Sequence, residues 1–116
     1  MKIVTTYVAF DDKDFDSEET CLAYEQHYIN LMIELSKCYT MYDKTMRPLP
    51  VLYTYNMEEM IKEFEYAYEE CTYIIMKEIP SKESIDFIWN YYGYELPNGK
   101  KGMYHYNFSR GRWEKV

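Results

Sequence analysis

The chain has 116 residues, of which 47% are apolar and 28% charged, a composition typical of one globular domain and not of a disordered chain. Its 20 acidic and 13 basic residues give a net charge of −7, which opposes binding to a phosphate backbone by long-range attraction. No apolar run approaches the roughly 20 residues of a membrane-spanning helix, and the start MKIVTTYVAF lacks a signal-peptide pattern. We therefore expect a single domain over residues 1–116, acting in the cytoplasm.

Charge and tyrosine content are the most informative features of the composition. From Asn98 onward, five basic residues stand against Glu114 alone, a net charge of +4 that leaves −11 for residues 1–97. Tyrosine accounts for 15 of the 22 aromatic residues and combines a large contact area with one hydrogen-bonding group, which favours a contact surface. The three cysteines are odd in number and irregularly spaced, which indicates reduced, buried thiols: Cys21, Cys38 and Cys71.

The first half of the chain has the pattern of a strand, a long helix and a short edge strand. Ile3 to Phe10 is rich in β-branched and aromatic residues, with apolar side chains on both faces, as in an interior strand. A short edge strand is expected around Thr40 to Tyr42. Between them, apolar residues spaced three and four apart predict a helix from about Ser17 to Tyr39: Cys21, Tyr24, Tyr28, Leu31, Leu35 and Cys38.

The second half alternates predicted strands and helices. A strand is expected over Val51 to Tyr55, and Asn56 begins a helix that ends near Glu70. TYIIMKEI has the composition of a strand, and a further helix follows Ser81 and ends at Gly93. The C-terminal residues predict a hairpin that turns at Ser109-Arg110-Gly111. The fold class is thus α/β or α+β, a single mixed sheet of about four to five strands with three helices mainly on one face.

The acidic stretch at residues 11–19 partly matches a calcium-binding loop. Asp12, Asp14 and Asp16 occupy the spacing of the first three EF-hand ligands. Ser17, however, stands where the loop needs glycine, and Ala23 stands where it needs a bidentate glutamate. We therefore expect no metal site here.

Helix capping explains the same stretch more simply. Asp16 or Ser17 can accept hydrogen bonds from the free amides of the first turn. Glu18 and Glu19 then lie at the positive end of the helix dipole, which they stabilise.

Catalytic and cofactor motifs are missing from the sequence. His27 and His105 are the only histidines, and no CxxC or HExxH pair, nucleophile elbow or phosphate-binding glycine loop is present. Neighbouring carboxylates such as Glu58 and Glu59 point to different sides of a helix, which suits a solvated face. We expect a protein with no catalytic residues, no cofactor and no metal.

The basic tail offers an alternative, nucleic-acid-binding surface, because it interleaves cations with aromatic rings. The preferred interpretation is that its aromatic face packs under the helices, and that the acidic body repels nucleic acid, so that no direct nucleic-acid binding is expected. The residues of this alternative surface are Lys100, Lys101, Tyr104, Tyr106, Arg110, Arg112 and Trp113.

Four segments carry a resemblance to known proteins: YVAFDDKDFD running into SEETCLAYE, then CTYIIMKE, and the closing GMYHYNFSRGRWEKV. Together they resemble small acidic proteins encoded by bacteriophages of low-GC bacteria, in which an FDxxEECLxYE-like start and a terminal GxYxY with a tryptophan recur. This class includes many proteins that disarm host defences, anti-CRISPR proteins among them. The resemblance thus implies a non-enzymatic inhibitor in the host cell whose partner is a host defence protein, with a CRISPR nuclease as one candidate.

An acidic, tyrosine-rich surface is suited to such a role, since it can occupy a basic groove evolved for phosphate. The alternatives are a nucleic-acid-binding accessory protein that uses the basic tail, and a scavenger of a signalling nucleotide whose base stacks on tyrosines. The expected partner-binding residues are Asp11, Asp12, Asp14, Asp16, Glu18, Glu19, Glu58, Glu59, Glu63, Glu69 and Glu70.

Overall fold

The structure is a computed structural model that describes residues 5–49 and 56–116. In these ranges the chain has an α+β fold with three helices, α1 (Glu18–Cys38), α2 (Met57–Glu70) and α3 (Lys82–Tyr92). The strands, in chain order, are β1 (Tyr7–Val8), β2 (Asp14–Phe15), β3 (Tyr39–Tyr42), β4 (Tyr73–Met76), β5 (Gly102–Asn107) and β6 (Arg112–Lys115).

The principal sheet has four strands in the order β3-β4-β5-β6. Each neighbouring pair is antiparallel, whereas the sequence predicted a mixed sheet. Met41 lies opposite Ile74, which lies opposite Tyr104, and all three are buried in the same core as the helix residues. The α+β class, the four-stranded sheet and the three helices are therefore confirmed, and one face of the sheet packs on the helical layer.

The helix ends follow the predicted capping residues. Ser17, Asn56 and Ser81 occupy the N-cap positions, and each side chain accepts a hydrogen bond of 3.2 to 3.3 Å from the amide three residues further on. Helix α3 ends at Gly93, whose φ of 77° is in the left-handed region that glycine adopts without strain. Of the two candidate caps for α1, Ser17 is the one that bonds.

The core lies between the sheet and the helices, with α1 packed against both α2 and α3. Met32 and Leu35 of α1, Met60 of α2 and Ile88 of α3 are almost completely buried. The three cysteines are free and buried, as predicted. Helix α1 is thus the central element on which the other two are positioned.

The predicted interior strand at Ile3 to Phe10 is wrong over its described part. Only Tyr7–Val8 is a strand, and it pairs with Asp14–Phe15 in a separate two-stranded sheet. The chain reverses through Asp12, which has a φ of 66°. The amide of Phe10 bonds to the Glu25 carboxylate at 3.0 Å instead of to a strand, so this segment attaches to α1 and not to the principal sheet.

Two further expectations concern the residues before α2 and the membrane. The strand predicted at Val51 to Tyr55 lies outside the described residues. None of the helices in the described ranges combines the length and the apolarity that crossing a membrane requires.

Candidate functional site

A cleft of about 330 Å³ opens between the middle of α1 and α3. Its floor is aromatic and its walls carry carboxylates. We call it the acidic cleft, and it is lined by Asp11, Tyr28, Leu31, Glu83, Asp86, Phe87, Asn90 and Tyr91.

The rings of the cleft belong to one packed cluster centred on Phe10. The Phe10 ring centre lies 5.3 Å from that of Tyr28, 6.1 Å from that of Phe87 and 5.7 Å from that of Tyr91. Tyr28 and Phe87 are themselves 4.8 Å apart. Because the β1–β2 turn delivers Phe10 onto this cluster, the same turn also places Asp11 at the edge of the cleft.

The carboxylates around these rings are held by specific partners. The Tyr24 hydroxyl donates a 2.5 Å hydrogen bond to Asp11 Oδ2. Glu83 Oε1 lies 2.6 Å from His27 Nε2. Asp86 follows Glu83 by three residues on α3 and therefore projects from a neighbouring position on the same side of the helix. These carboxylates come from two separate segments of the chain, the β1–β2 turn and α3, and meet at one aromatic surface.

The field in the acidic cleft is negative. Burial raises the pKa of Tyr91 above its usual value, and the charges of Asp11, Asp12 and Glu65 raise that pKa further. Burial and the hydrogen bond to Asp11 likewise raise the pKa of Tyr24. Neutral phenols are favoured next to carboxylates, and the same field attracts cations.

The aromatic cluster already contacts one cation of this chain. Lys13 Nζ lies 4.8 Å from the ring centre of Tyr24 and 5.7 Å from that of Phe15, distances at which an ammonium is attracted to an aromatic face. Among the described residues that line the acidic cleft, none is a lysine or an arginine. A cation from another molecule would therefore meet rings and carboxylates in the cleft.

The structure separates the predicted acidic residues into two groups. The first group surrounds the β1–β2 turn and the start of α1, where all six side chains are exposed and Asp11 alone lines the acidic cleft. This group consists of Asp11, Asp12, Asp14, Asp16, Glu18 and Glu19.

The second group follows α2, where Glu63 is half-buried and the others are exposed. Glu58 reaches the α1 side and lines a groove there together with Glu25 and the exposed Val8. Glu69 lies at the opposite end of α2. This group consists of Glu58, Glu59, Glu63, Glu69 and Glu70.

Sequence reasoning missed Glu83 and Asp86, the two α3 carboxylates of the cleft. Their sequence signal is a pair of acidic residues spaced three apart beside the apolar positions of an amphipathic helix. That pattern is also normal for a solvated helix face. Only the packing of α3 against α1 shows that this pair faces Asp11.

The structure also separates the two components of the predicted nucleic-acid surface. Tyr104 is in the core and Trp113 packs against it, as the preferred interpretation of this face predicted. Tyr106 is half-buried beside Trp113, with ring centres 5.2 Å apart. Tyr104 and Trp113 thus pack in or against the core between the sheet and the helices.

The cations of the same surface are exposed and mostly paired with carboxylates. Arg110 and Arg112 lie 3.6 Å and 3.4 Å from Glu114 Oε1, and Lys101 Nζ lies 3.7 Å from Glu78 Oε2. Lys100 is exposed, and its carbonyl accepts a 2.5 Å hydrogen bond from the Tyr104 hydroxyl. The cations and the rings therefore do not form one continuous stacking groove.

Metal binding and similarity to known proteins give no further assignment. Within residues 5–49 and 56–116, no group of three or more acidic, histidine or cysteine side chains is arranged to hold a metal ion. Comparison of the chain with protein-family models, with curated proteins and with solved structures finds no match.

Proposed function

We propose that this protein is a non-enzymatic inhibitor that binds a basic surface of a partner protein through the acidic cleft and the carboxylates around it. The observation that carries the proposal is the meeting of Asp11, Glu83 and Asp86 over the rings of Phe87 and Tyr91 in one open cleft. Carboxylates above aromatic faces provide the environment that an arginine side chain binds best. The guanidinium stacks on a ring while its N–H groups bond to a carboxylate.

The exposed carboxylates outside the cleft support the same role. The acidic residues of the β1–β2 turn and of α2 are nearly all exposed, and residues 1–97 carry a net charge of −11. Such a field accelerates encounter with a basic surface. The rings of the cleft would then supply the anchoring contacts, since buried aromatic and arginine pairs provide most of the energy of many interfaces.

The class of partner follows from the charge and from the sequence resemblance. Proteins that handle nucleic acid present basic grooves to phosphates, and an acidic protein can block such a groove by occupying it. The resemblance to bacteriophage proteins favours a host defence protein in the host cytoplasm as the partner. A CRISPR nuclease is the specific candidate, which makes the proposed activity anti-CRISPR-like.

A panel of purified, guide-loaded CRISPR nucleases tests the proposal directly. DNA cleavage is measured while the concentration of this protein increases, and we expect one member of the panel to lose activity at about one equivalent. The double variant Glu83→Gln, Asp86→Asn should bind that nuclease about tenfold or more weakly, mainly through faster dissociation, because the guanidinium in the cleft loses its carboxylate partners.

The matched control removes two negative charges elsewhere. Glu78 and Glu95 are exposed and lie outside the acidic cleft, so the variant Glu78→Gln, Glu95→Gln should inhibit like the unmodified protein. The proposal is wrong if no nuclease is inhibited, if inhibition needs far less than one equivalent, or if the two double variants lose the same activity.

The same preparation distinguishes the alternatives drawn from the sequence. Single-strand binding that disappears when Lys100, Lys101, Arg110 and Arg112 are replaced by alanine would indicate a nucleic-acid-binding protein. A stoichiometric rise in melting temperature with a signalling nucleotide would indicate a scavenger. If either result is obtained and no nuclease is inhibited, the corresponding alternative function replaces the proposed inhibition.

A further inference from the structure

A second cavity, of about 230 Å³, lies at the C-terminal end of α2, where the β5–β6 hairpin meets the segment after α3. It shares no lining residue with the acidic cleft. We call it the aromatic cage, and it is lined by Tyr68, Glu69, Cys71, Tyr94, Tyr106, Phe108 and Trp113.

The rings of the aromatic cage differ in orientation: one pair is stacked, and the other pairs meet at steep angles. Tyr68 and Tyr94 stack with centres 4.1 Å apart. Trp113 meets Tyr68 at 68° and Tyr106 at 69°, and Phe108 meets Tyr106 at 77°. Walls in several orientations surround a space with aromatic faces and edges, whereas one continuous stack would present a single flat surface.

Hydrogen bonds within the chain hold these rings in place. The Tyr68 hydroxyl and Trp113 Nε1 both donate to the Glu95 carbonyl, each at 2.8 Å. The Tyr94 hydroxyl donates to Glu69 Oε1 at 3.2 Å. The cage is therefore preorganised, which reduces the entropy lost when a ligand binds. Phe108 differs from the other rings because it is 75% exposed at the hairpin turn and forms the outer lip.

The electrostatics of the cage favour a cation. Glu69 is the acidic side chain of its lining, and Cys71 stays a neutral thiol because burial raises its pKa to about 12. Burial raises the pKa of Tyr94 to about 12, with the hydrogen bond to Glu69 and the charges of Glu69 and Glu65 as further causes. Arg110 and Arg112 on the hairpin both lie against Glu114, which offsets part of their charge.

Size and hydrogen bonding narrow the kind of cation. The volume lies between that of a benzene-sized cavity, about 150 Å³, and the roughly 300 Å³ at which pockets for drug-sized ligands begin, so the cage fits a head group. An ammonium brings three N–H donors and a guanidinium brings five. The lining of the cage holds one carboxylate, Glu69, and is otherwise mostly aromatic, so it offers few acceptors for these donors. A fully methylated ammonium brings no donors and leaves none unsatisfied.

We propose that the aromatic cage binds a trimethylammonium group, held by the rings of Tyr68, Tyr106 and Trp113 and by the charge of Glu69. Aromatic enclosure of a quaternary ammonium is the arrangement in which cation–π attraction serves recognition. The group can belong to a free small molecule of the choline type or to a trimethylated lysine side chain.

Fluorescence of Trp113 provides the test. The variant Trp89→Phe removes the other tryptophan, which lies outside the cage, and leaves Trp113 as the single reporter. Choline chloride is titrated against sodium chloride at equal ionic strength, with 3,3-dimethylbutan-1-ol as the neutral probe of the same shape. We expect a saturable change with choline and about tenfold weaker binding of the neutral probe. Equal binding of the two, or no saturable change, would overturn the proposal.

Two neighbouring carboxylates provide a matched pair of variants. Glu69→Gln removes the charge from the cage but keeps an oxygen that can accept from Tyr94, and it should weaken choline binding several-fold. Glu70→Gln makes the same change of net charge on an exposed residue outside the cage and should leave binding unchanged. Equal effects of the two variants would contradict a specific role for Glu69. Phe108→Ala changes an exposed side chain and should also weaken binding without unfolding the protein.

Peptides distinguish the two sources of the ligand group. A peptide with one trimethylated lysine is compared with choline and with the same peptide unmodified. Tighter binding of the trimethylated peptide than of choline would assign the cage to a protein side chain, and equal or weaker binding would assign it to a small molecule. Binding of the unmodified peptide as tightly as the trimethylated one would contradict recognition of a methylated ammonium.

Discussion

The tyrosines on the two sides of the molecule differ in what their hydroxyl groups bind. Beside the acidic cleft, Tyr24 donates to the carboxylate of Asp11. On the other side, the acceptors are mostly backbone carbonyls of the segment after α3: Tyr68 donates to Glu95, Tyr39 to Pro97 and Tyr104 to Lys100.

This difference indicates that some tyrosine hydroxyls stabilise the fold, whereas others shape a surface for recognition. Residues 94–101 lie between α3 and β5 without regular secondary structure, so their carbonyls have no helix or sheet partners and need side-chain donors where they are buried. The carboxylate at the acidic cleft is exposed and can be solvated without its tyrosine. Tyrosines that bond to backbone carbonyls should thus affect stability, and those that bond to carboxylates should mainly affect recognition.

Titration at high pH should show the largest effect, because several buried hydroxyls and thiols must lose protons. Folded-state pKa values rise from 9.0 to about 12 for Cys71 and from 10.0 to about 12 for Tyr94 through burial, with Glu69 adding to the shift of Tyr94. The unfolded chain then holds fewer protons than the folded chain between about pH 9 and pH 12, so stability is complete below pH 9 and falls as the pH rises.

Urea unfolding measured at intervals from pH 7 to pH 12 checks this expectation. The Cys71→Ala variant should lose less stability between about pH 9 and pH 10 than the unmodified protein. The loss in that range should not disappear, because burial also raises the pKa values of Cys21 and Cys38. Constant stability up to pH 12 would mean that these groups are solvated in the folded protein.

Removing one structural hydroxyl should be the next largest effect. In Tyr39→Phe, the Pro97 carbonyl loses a hydrogen bond of 2.5 Å from a side chain that is only 5% exposed, and we expect a loss of about 1–3 kcal/mol in the free energy of unfolding. In Tyr24→Phe, the exposed Asp11 carboxylate can bond to water, so the loss should stay below about 0.5 kcal/mol. Similar losses in the two variants, measured by urea unfolding, would remove the distinction between the two sides.

The first turn of α1 allows a finer test on the side of the acidic cleft. The Ser17 side chain accepts a hydrogen bond from the Thr20 amide, so Ser17→Ala should lower the free energy of unfolding by about 1 kcal/mol. Asp16 precedes the cap, and Asp16→Ala should have a much smaller effect. If thermal or urea unfolding shows the larger loss in Asp16→Ala, the helix begins one residue earlier in solution.

Local patterns in the sequence predicted the parts of the fold that local interactions determine. The apolar spacing of α1, the Asn56 cap, the Gly93 terminus and the C-terminal hairpin all depend on residues a few positions apart. The prediction of the first strand was wrong because it depended on composition alone, which favours a strand through Phe10. The chain instead reverses at Asp12, in a backbone conformation that aspartate adopts only occasionally.

The sites were harder to predict than the elements because they form between elements. Asp11 was among the predicted partner-binding residues, but its neighbours Glu83 and Asp86 are more than 70 positions away in the chain and had no distinguishing pattern. The rings of Tyr94 and Trp113 meet that of Tyr68 only after the sheet and the segment behind α3 have packed. Periodicity shows which face of a helix is buried, but it does not show which other element covers that face.

The smallest expected change in the free energy of unfolding is at Asp12, which we compare with Gly93. Both residues have a left-handed backbone conformation, and one lies on each side of the molecule. Gly93 has a φ of 77° and open space around its α-carbon, so Gly93→Ala should cost about 1 kcal/mol from backbone strain alone. Asp12 has a φ of 66° and already bears such a strain. Asp12→Gly should therefore gain up to about 0.5 kcal/mol, because relief of the strain exceeds the entropy that glycine adds to the unfolded chain. Thermal unfolding of both variants should show opposite signs, and a loss in Asp12→Gly would mean that the carboxylate contributes more to the β1–β2 turn than its backbone strain costs.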